Sequence, residues 1–219
     1  MGHLSVIMIL VILVPHTAHA RQPGSAEASH MHTILERTFL RVDVLALDIC
    51  LDSAAAARIR ALLRDRSPEQ AADSIAAAAI GAHETLARIR MLRGVSLDQF
   101  IDGVLGEQRK AVGAGLIADS THRAVREGLP QWFSFLRDRG LHKGDEIVYA
   151  LRGDTLRTTY VAESGEILLR DRVVGRARRN SVVATYFAPG SDFRDGLMES
   201  LEDRSERTVL PASCRPPPS

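Results

Sequence analysis

The chain has almost no surplus of charge. Its 28 Lys and Arg stand against 27 Asp and Glu, a formal net charge of +1. Arg strongly outnumbers Lys, and the positive charges lie between carboxylates. A nucleic-acid binder normally presents a basic face, so the composition gives that class no support. Cysteine is scarce too. Cys50 and Cys214 are the two thiols, and two cysteines at that separation make no metal site. They leave two readings open: a disulfide tying the Pro-rich tail to the strand that carries Cys50, or a buried thiol and an exposed one. Aromatic residues are few, with one Trp, three Tyr and six Phe. Trp132, Phe133 and Phe135 gather several of them at a spacing that reads as core packing rather than a cofactor box. Gly113 and Gly115 have no Lys-Ser/Thr after them and no strand before, so they mark a hinge rather than a phosphate loop. No internal repeat is found, and no Ser/His/Asp set can be assembled. Neither a metal nor another cofactor is implied.

Long apolar runs are scarce as well. Leu4 to Val14 is too short to cross a bilayer comfortably. Ala18-His19-Ala20 follows it with the small-x-small pattern read by signal peptidase. Residues 1–20 therefore read as a cleaved signal peptide, and the chain as exported, to the periplasm or beyond, with no integral membrane span after processing. The leading segment has no Lys or Arg, only His3 and the terminal amine, which keeps a short membrane anchor as the alternative. It carries no Asp or Glu either, so the processed chain keeps its net charge.

Residues 21–29 are small and polar, a linker. Residues 30–203 suit one domain with a sizeable core, and 204–219 read as a disordered Pro-rich tail. Within the domain, Thr33 to Leu51 is strand material, with Phe39 to Leu51 as one long strand. Asp52-Ser53 starts a short helix with Ile59, Leu62 and Leu63 on one side. Ser67-Pro68-Glu69-Gln70 and Ser96-Leu97-Asp98-Gln99 are capping boxes that open two further helices. Glu84 to Gly94 alternates as a strand, with Arg88 and Arg90 on one face and Ile89 and Met91 on the other. The helix after Ser96 carries the stripe Leu97, Phe100, Ile101, Val104 and Leu105. Helix resumes at Asp119, and Pro130 should kink or restart it. A meander follows over Glu146–Leu151, Leu156–Ala162 and Glu166–Asp171, turned by Arg152-Gly153-Asp154 and Ser164-Gly165. The first turn is ordinary hairpin chemistry rather than an adhesion motif. Arg176–Phe187 and Asp192–Leu201 close the domain as helices.

This order resembles the chalcone isomerase-like family over most of Thr33 to Leu201. The resemblance is carried by Phe39–Leu51, Arg90–Glu107, Lys143-Gly144-Asp145 and Thr185–Phe187, and is greatest to bacterial exported chalcone isomerase-like proteins. It implies an α+β fold in which an antiparallel sheet is covered on one face by a layer of helices, with a ligand cleft between. Chalcone isomerases cyclise their substrate with an arginine, a threonine, a tyrosine, an asparagine and a late Thr or Ser. Residue by residue, the threonine falls on Asp43, the tyrosine on Phe100 and the asparagine on Glu107, while Thr185 keeps the late Thr. The arginine falls near Met31, between His30 and His32. Phe100 cannot donate to a developing enolate, and Asp43 would repel a phenolate. Fatty-acid-binding relatives use that same arginine and a tyrosine at the Asp43 position, and both anchors are missing.

Asp43, Phe100, Glu107 and Thr185 are thus the cleft residues by overlay, none of them assigned a catalytic role. Arg41, Arg88 and Arg90 are the candidate charge partners of Asp43, with Arg37 a further candidate anchor for a carboxylate. Glu107 is within one turn of Lys110, so a surface ion pair is its ordinary reading. Asp48 is expected nearer the strand's edge, and His30 and His32 on an exposed linker. The expected function is a non-catalytic exported module holding a small apolar or amphipathic molecule, of fatty-acid or polyphenol class. The alternatives are an isomerase or intramolecular lyase using Asp43 and Glu107, and an envelope interaction domain with a filled cleft.

Overall fold

A computed structural model describes residues 29–37, 42–202 and 212–215, with the side chains at 36, 37, 42 and 43 left undescribed. The expected signal peptide, Arg41 and most of the tail lie outside the described residues. Six strands form one antiparallel sheet in chain order. They are β1 (Ser29–Arg37), β2 (Val42–Leu51), β3 (Glu84–Met91), β4 (Glu146–Arg152), β5 (Thr155–Val161) and β6 (Ile167–Val174). Alternation decides which face is buried. Met31 and Leu35, Leu45 to Leu51 by twos, Ala87 to Met91 by twos, Ile147, Leu151, Leu156 and Tyr160 are buried on one side. Six helices cover that side: α1 (Ser53–Leu62), α2 (Ala72–Ile80), α3 (Leu97–Gly113), α4 (Asp119–Trp132), α5 (Arg176–Phe187) and α6 (Arg194–Glu199). The α+β architecture implied by the resemblance is the one observed.

Local signals set most boundaries. The Asp52 carboxylate accepts from Ala55 N and from the amides of His83 and Glu84, so it caps α1 and ties it to the start of β3. Ser96 and Gln99 make both bonds of a capping box at α3. Ser67 and Gln70 make the same reciprocal pair, but regular helix begins only at Ala72. The turn between β4 and β5 is Gly153-Asp154, with Gly153 at φ 55°, where a side chain would be strained. Asp145 anchors the entry to the meander. Fully buried, it accepts from Arg139 at 2.6 and 2.8 Å, from the Tyr160 hydroxyl and from the amides of His142 and Glu163. Burial alone would raise its pKa. The Arg139 guanidinium and the Tyr160 hydroxyl outweigh that and hold it far below the usual carboxylate range.

Several expectations are corrected. The stretch read as strand material through to Leu51 is a hairpin of two strands, and β1 already begins at Ser29. His30 and His32 therefore lie in a strand, not in a linker. Asp48 sits in the middle of β2, paired with Arg88 across the ladder, while Asp43 is the second residue of that strand. The register shifts between Leu35 and Glu36, which face Leu45 and Asp43, so Val44 is the extra residue of a bulge. Helix α4 continues through Pro130 to Trp132 with no restart at the proline, which lies in its last turn. Cys50 and Cys214 are joined by a disulfide, and Ala212–Cys214 forms a short turn against β2 and β3. That part of the tail is tied to the sheet.

Candidate functional site

A cavity of about 440 Å³ lies between the covered face of the sheet and helices α3, α4 and α5. Its walls are mainly apolar. The β2 bulge turns both Val44 and Leu45 toward it, β3 gives Ile89 and Met91, and α4 gives Leu129 and Trp132. The Trp132 ring lies over Gly128, where a Cβ would overlap it, and Arg178 of α5 sits 3.8 Å above that ring. Phe100 packs edge-on against Phe133 at 5.3 Å.

The overlay residues fall as follows. Phe100, Glu107 and Thr185 all line the cavity. Glu107 is 3 % exposed, a buried carboxylate and not a surface one. Its place follows from helical spacing, one turn beyond Val104 and two beyond Phe100. Lys110 Nζ donates to it at 2.8 Å and the Asp192 amide at 3.2 Å. Lys110 also reaches Asp192, and these two carboxylates, working against burial, hold its amine above the ordinary lysine pKa. Thr185 spends its proton on the Ser181 carbonyl at 2.7 Å. Met31, where the arginine would fall, is fully buried in the core. The side chain of Asp43 lies outside the description.

Two of the three candidate partners of Asp43 face the other way. Arg88 and Arg90 point to the open face of the sheet, where Arg88 pairs with Glu146 and with tail carbonyls. The cavity's own arginines are Arg93 and Arg178, which the sequence reading passed over. The signal was present for Arg178 but not for Arg93. On β3 the odd residues Ala87, Ile89 and Met91 face the core, but the strand ends at Met91 and Arg93 lies in the bend beyond it. On α5, Arg178, Ser181, Val182 and Thr185 are spaced three, four and seven apart, one helical face.

Arg93 lines the cavity with its Nε buried and without a hydrogen-bond partner. Gln99 and Asp102, exposed in the first turns of α3, line the cavity as well. Arg178 is differently placed. Burial lowers its pKa, with the charge of Asp171 in partial opposition, and its cation already rests on Trp132. Tyr149 and Tyr186 also face the cavity, and burial raises the pKa of both hydroxyls, so they stay neutral. Among the described residues the set offers apolar walls, a buried guanidinium nitrogen without a hydrogen-bond partner, and no assembled nucleophile.

The chain is similar to the crystal structure of a fatty-acid-binding protein from Arabidopsis thaliana, with 13 % identity over 82 % of this chain and 90 % of that one, at a TM-score of 0.48. No protein family matches the sequence, and no curated protein matches it significantly. The case for a ligand is carried by the cavity.

Proposed function

We propose that this chain is a non-catalytic module that holds a small amphipathic anion, of fatty-acid or polyphenol class, with its apolar body in the cavity and its charge at Arg93. The observation that carries the reading is an apolar cavity of about 440 Å³ with a buried, unpartnered guanidinium nitrogen on its wall. Small-molecule sites commonly enclose roughly 300–1,000 Å³ and add a few placed polar groups to apolar walls. A buried donor left unmade is costly, and a carboxylate or phenolate would satisfy it.

The isomerase reading has less support. Phe100 offers no proton, the Thr185 proton is committed to a backbone carbonyl, and Glu107 is already paired with Lys110. The interaction-domain reading needs a filled cleft and an apolar patch. Among the described residues the exposed large apolar side chains are Ile34, Leu116 and Val174, on separate elements. Export is part of the proposal. The disulfide supports it, since such bonds persist in oxidising compartments.

Native mass spectrometry of the full chain made by export, followed by extraction of any bound compound, tests the reading. Titration with a long-chain fatty acid, the matching alcohol and a flavonoid then defines the class. Arg93→Met should weaken the acid by roughly ten- to a hundredfold and the alcohol hardly at all, as expected for loss of a charge-assisted bond. A chain that stays empty after all three ligands sinks the proposal.

A further inference from the structure

The open face of the sheet, on the far side from the cavity, carries a cluster that the proposed ligand does not use. His30 lies directly opposite Cys50 in the ladder between β1 and β2, and Cys50 is bonded to Cys214. A ring nitrogen of His30 and the two sulfurs all lie within 4.8 Å of one another. Asp48 sets the His30 ring, with Oδ1 2.7 Å from Nε2, and His32 Nδ1 meets the same oxygen at 3.1 Å. Cys50 is buried, while His30 and Cys214 are partly exposed, so a small thiol or an ion can reach them.

The position of Cys214 does not rest on the disulfide alone. Arg88, ion-paired with Glu146, donates from Nε to the Ser213 carbonyl at 3.1 Å and from Nη2 to the Arg215 carbonyl at 2.7 Å. These are the carbonyls on either side of Cys214. If the bond between the sulfurs opens, this clamp keeps the second sulfur beside the first and beside His30.

We propose that the disulfide masks a Zn²⁺ site, and that reduction exposes it, with His30, Cys50 and Cys214 as ligands and Asp48 as the carboxylate that orients His30. A dithiol reductant supplies the two electrons and two protons that convert the disulfide to two thiols, and becomes a disulfide itself. Each thiol then releases its proton to solvent as its sulfur takes the metal. Two thiolates and one imidazole fill three of the four positions of a tetrahedral zinc ion, leaving one for water. Thiolates favour Zn²⁺ strongly over Mg²⁺ or Ca²⁺. A carboxylate behind a ligating histidine is the usual outer partner in such sites. The separation of the cysteines in sequence hides all this, because strand register and the return of the tail create the cluster.

The test uses the full chain, oxidised and after reduction by a phosphine, with Co²⁺ as the optical probe and circular dichroism to follow the fold. The reduced protein should take up a single Co²⁺ with a sulfur-to-metal charge-transfer band and tetrahedral visible absorption. Zn²⁺ should displace the cobalt, and uptake should release protons. The oxidised protein should show none of this. Asp48→Asn should weaken binding about 10- to 100-fold while keeping the sulfur band, and His30→Ala should weaken it further. The proposal is overturned if the reduced chain gives no sulfur-to-cobalt band, or if His30→Ala binds as tightly as the parent. It is equally overturned if the reduced chain unfolds and Zn²⁺ fails to restore it.

Discussion

At the scale of single residues, burial and pairing decide more than identity does. Glu107 shows this: helical spacing alone puts it on the buried stripe of α3, and Lys110 and the Asp192 amide make that burial tolerable. Asp145 is the stronger case, a fully buried carboxylate with five donors. Breaking such a pair by removing one partner costs about 3–5 kcal/mol, so Asp145→Asn should lower stability by that order in urea unfolding at neutral pH. The sign of the pH dependence follows from its depressed pKa. The contribution is fully present above the unfolded carboxylate value near pH ~4 and is lost as pH falls from there toward the folded value. Urea midpoints of the parent should therefore drop below that pH, while Asp145→Asn follows a flatter curve across the same window.

At the scale of elements, caps and parity position the cavity. The capping box at Ser96 starts α3, whose first turns carry Gln99, Phe100 and Asp102 to the cavity. Ser96→Ala should cost about 0.5–2 kcal/mol, and it should weaken ligand retention because the first turn of α3, which forms part of the wall, frays. A thermal melt and a binding titration on the same variant check both parts. Gly196 of α6 makes a similar point about packing, since a Cβ there would overlap Thr33 of β1. The alternation of β3 was legible in advance and put Arg88 and Arg90 on one face and Ile89 and Met91 on the other, without saying which face met the helices. The division into β1 and β2 was not legible, because no Gly or Pro separates Arg37 from Val42 in the sequence.

At the scale of the whole molecule, the disulfide closes a sequence separation of 164 residues. A crosslink of that span acts mainly on the unfolded chain and contributes roughly 2–5 kcal/mol. Cys214→Ser should therefore lower the melting temperature by about 5–15 °C, and a reductant should shift the parent toward the variant without moving the variant. The cavity should survive the change, since Arg88 still holds the tail and no described residue of the tail lines the cavity. A variant that lost ligand binding along with stability would contradict that separation of the two faces.

The sequence by itself determined the α+β class, the capped starts of α1 and α3, and the apolar stripe of α3 that carries Phe100. These depend on spacing, capping and turn chemistry among near neighbours. Only the tertiary structure decided that Arg93, and not Arg88 or Arg90, reaches the cavity. It alone decided that Asp48 rather than Asp43 sits mid-strand between two histidines, and that Cys214 returns to Cys50. Each of those depends on register and on contacts between distant segments, and local periodicity carries no information about either.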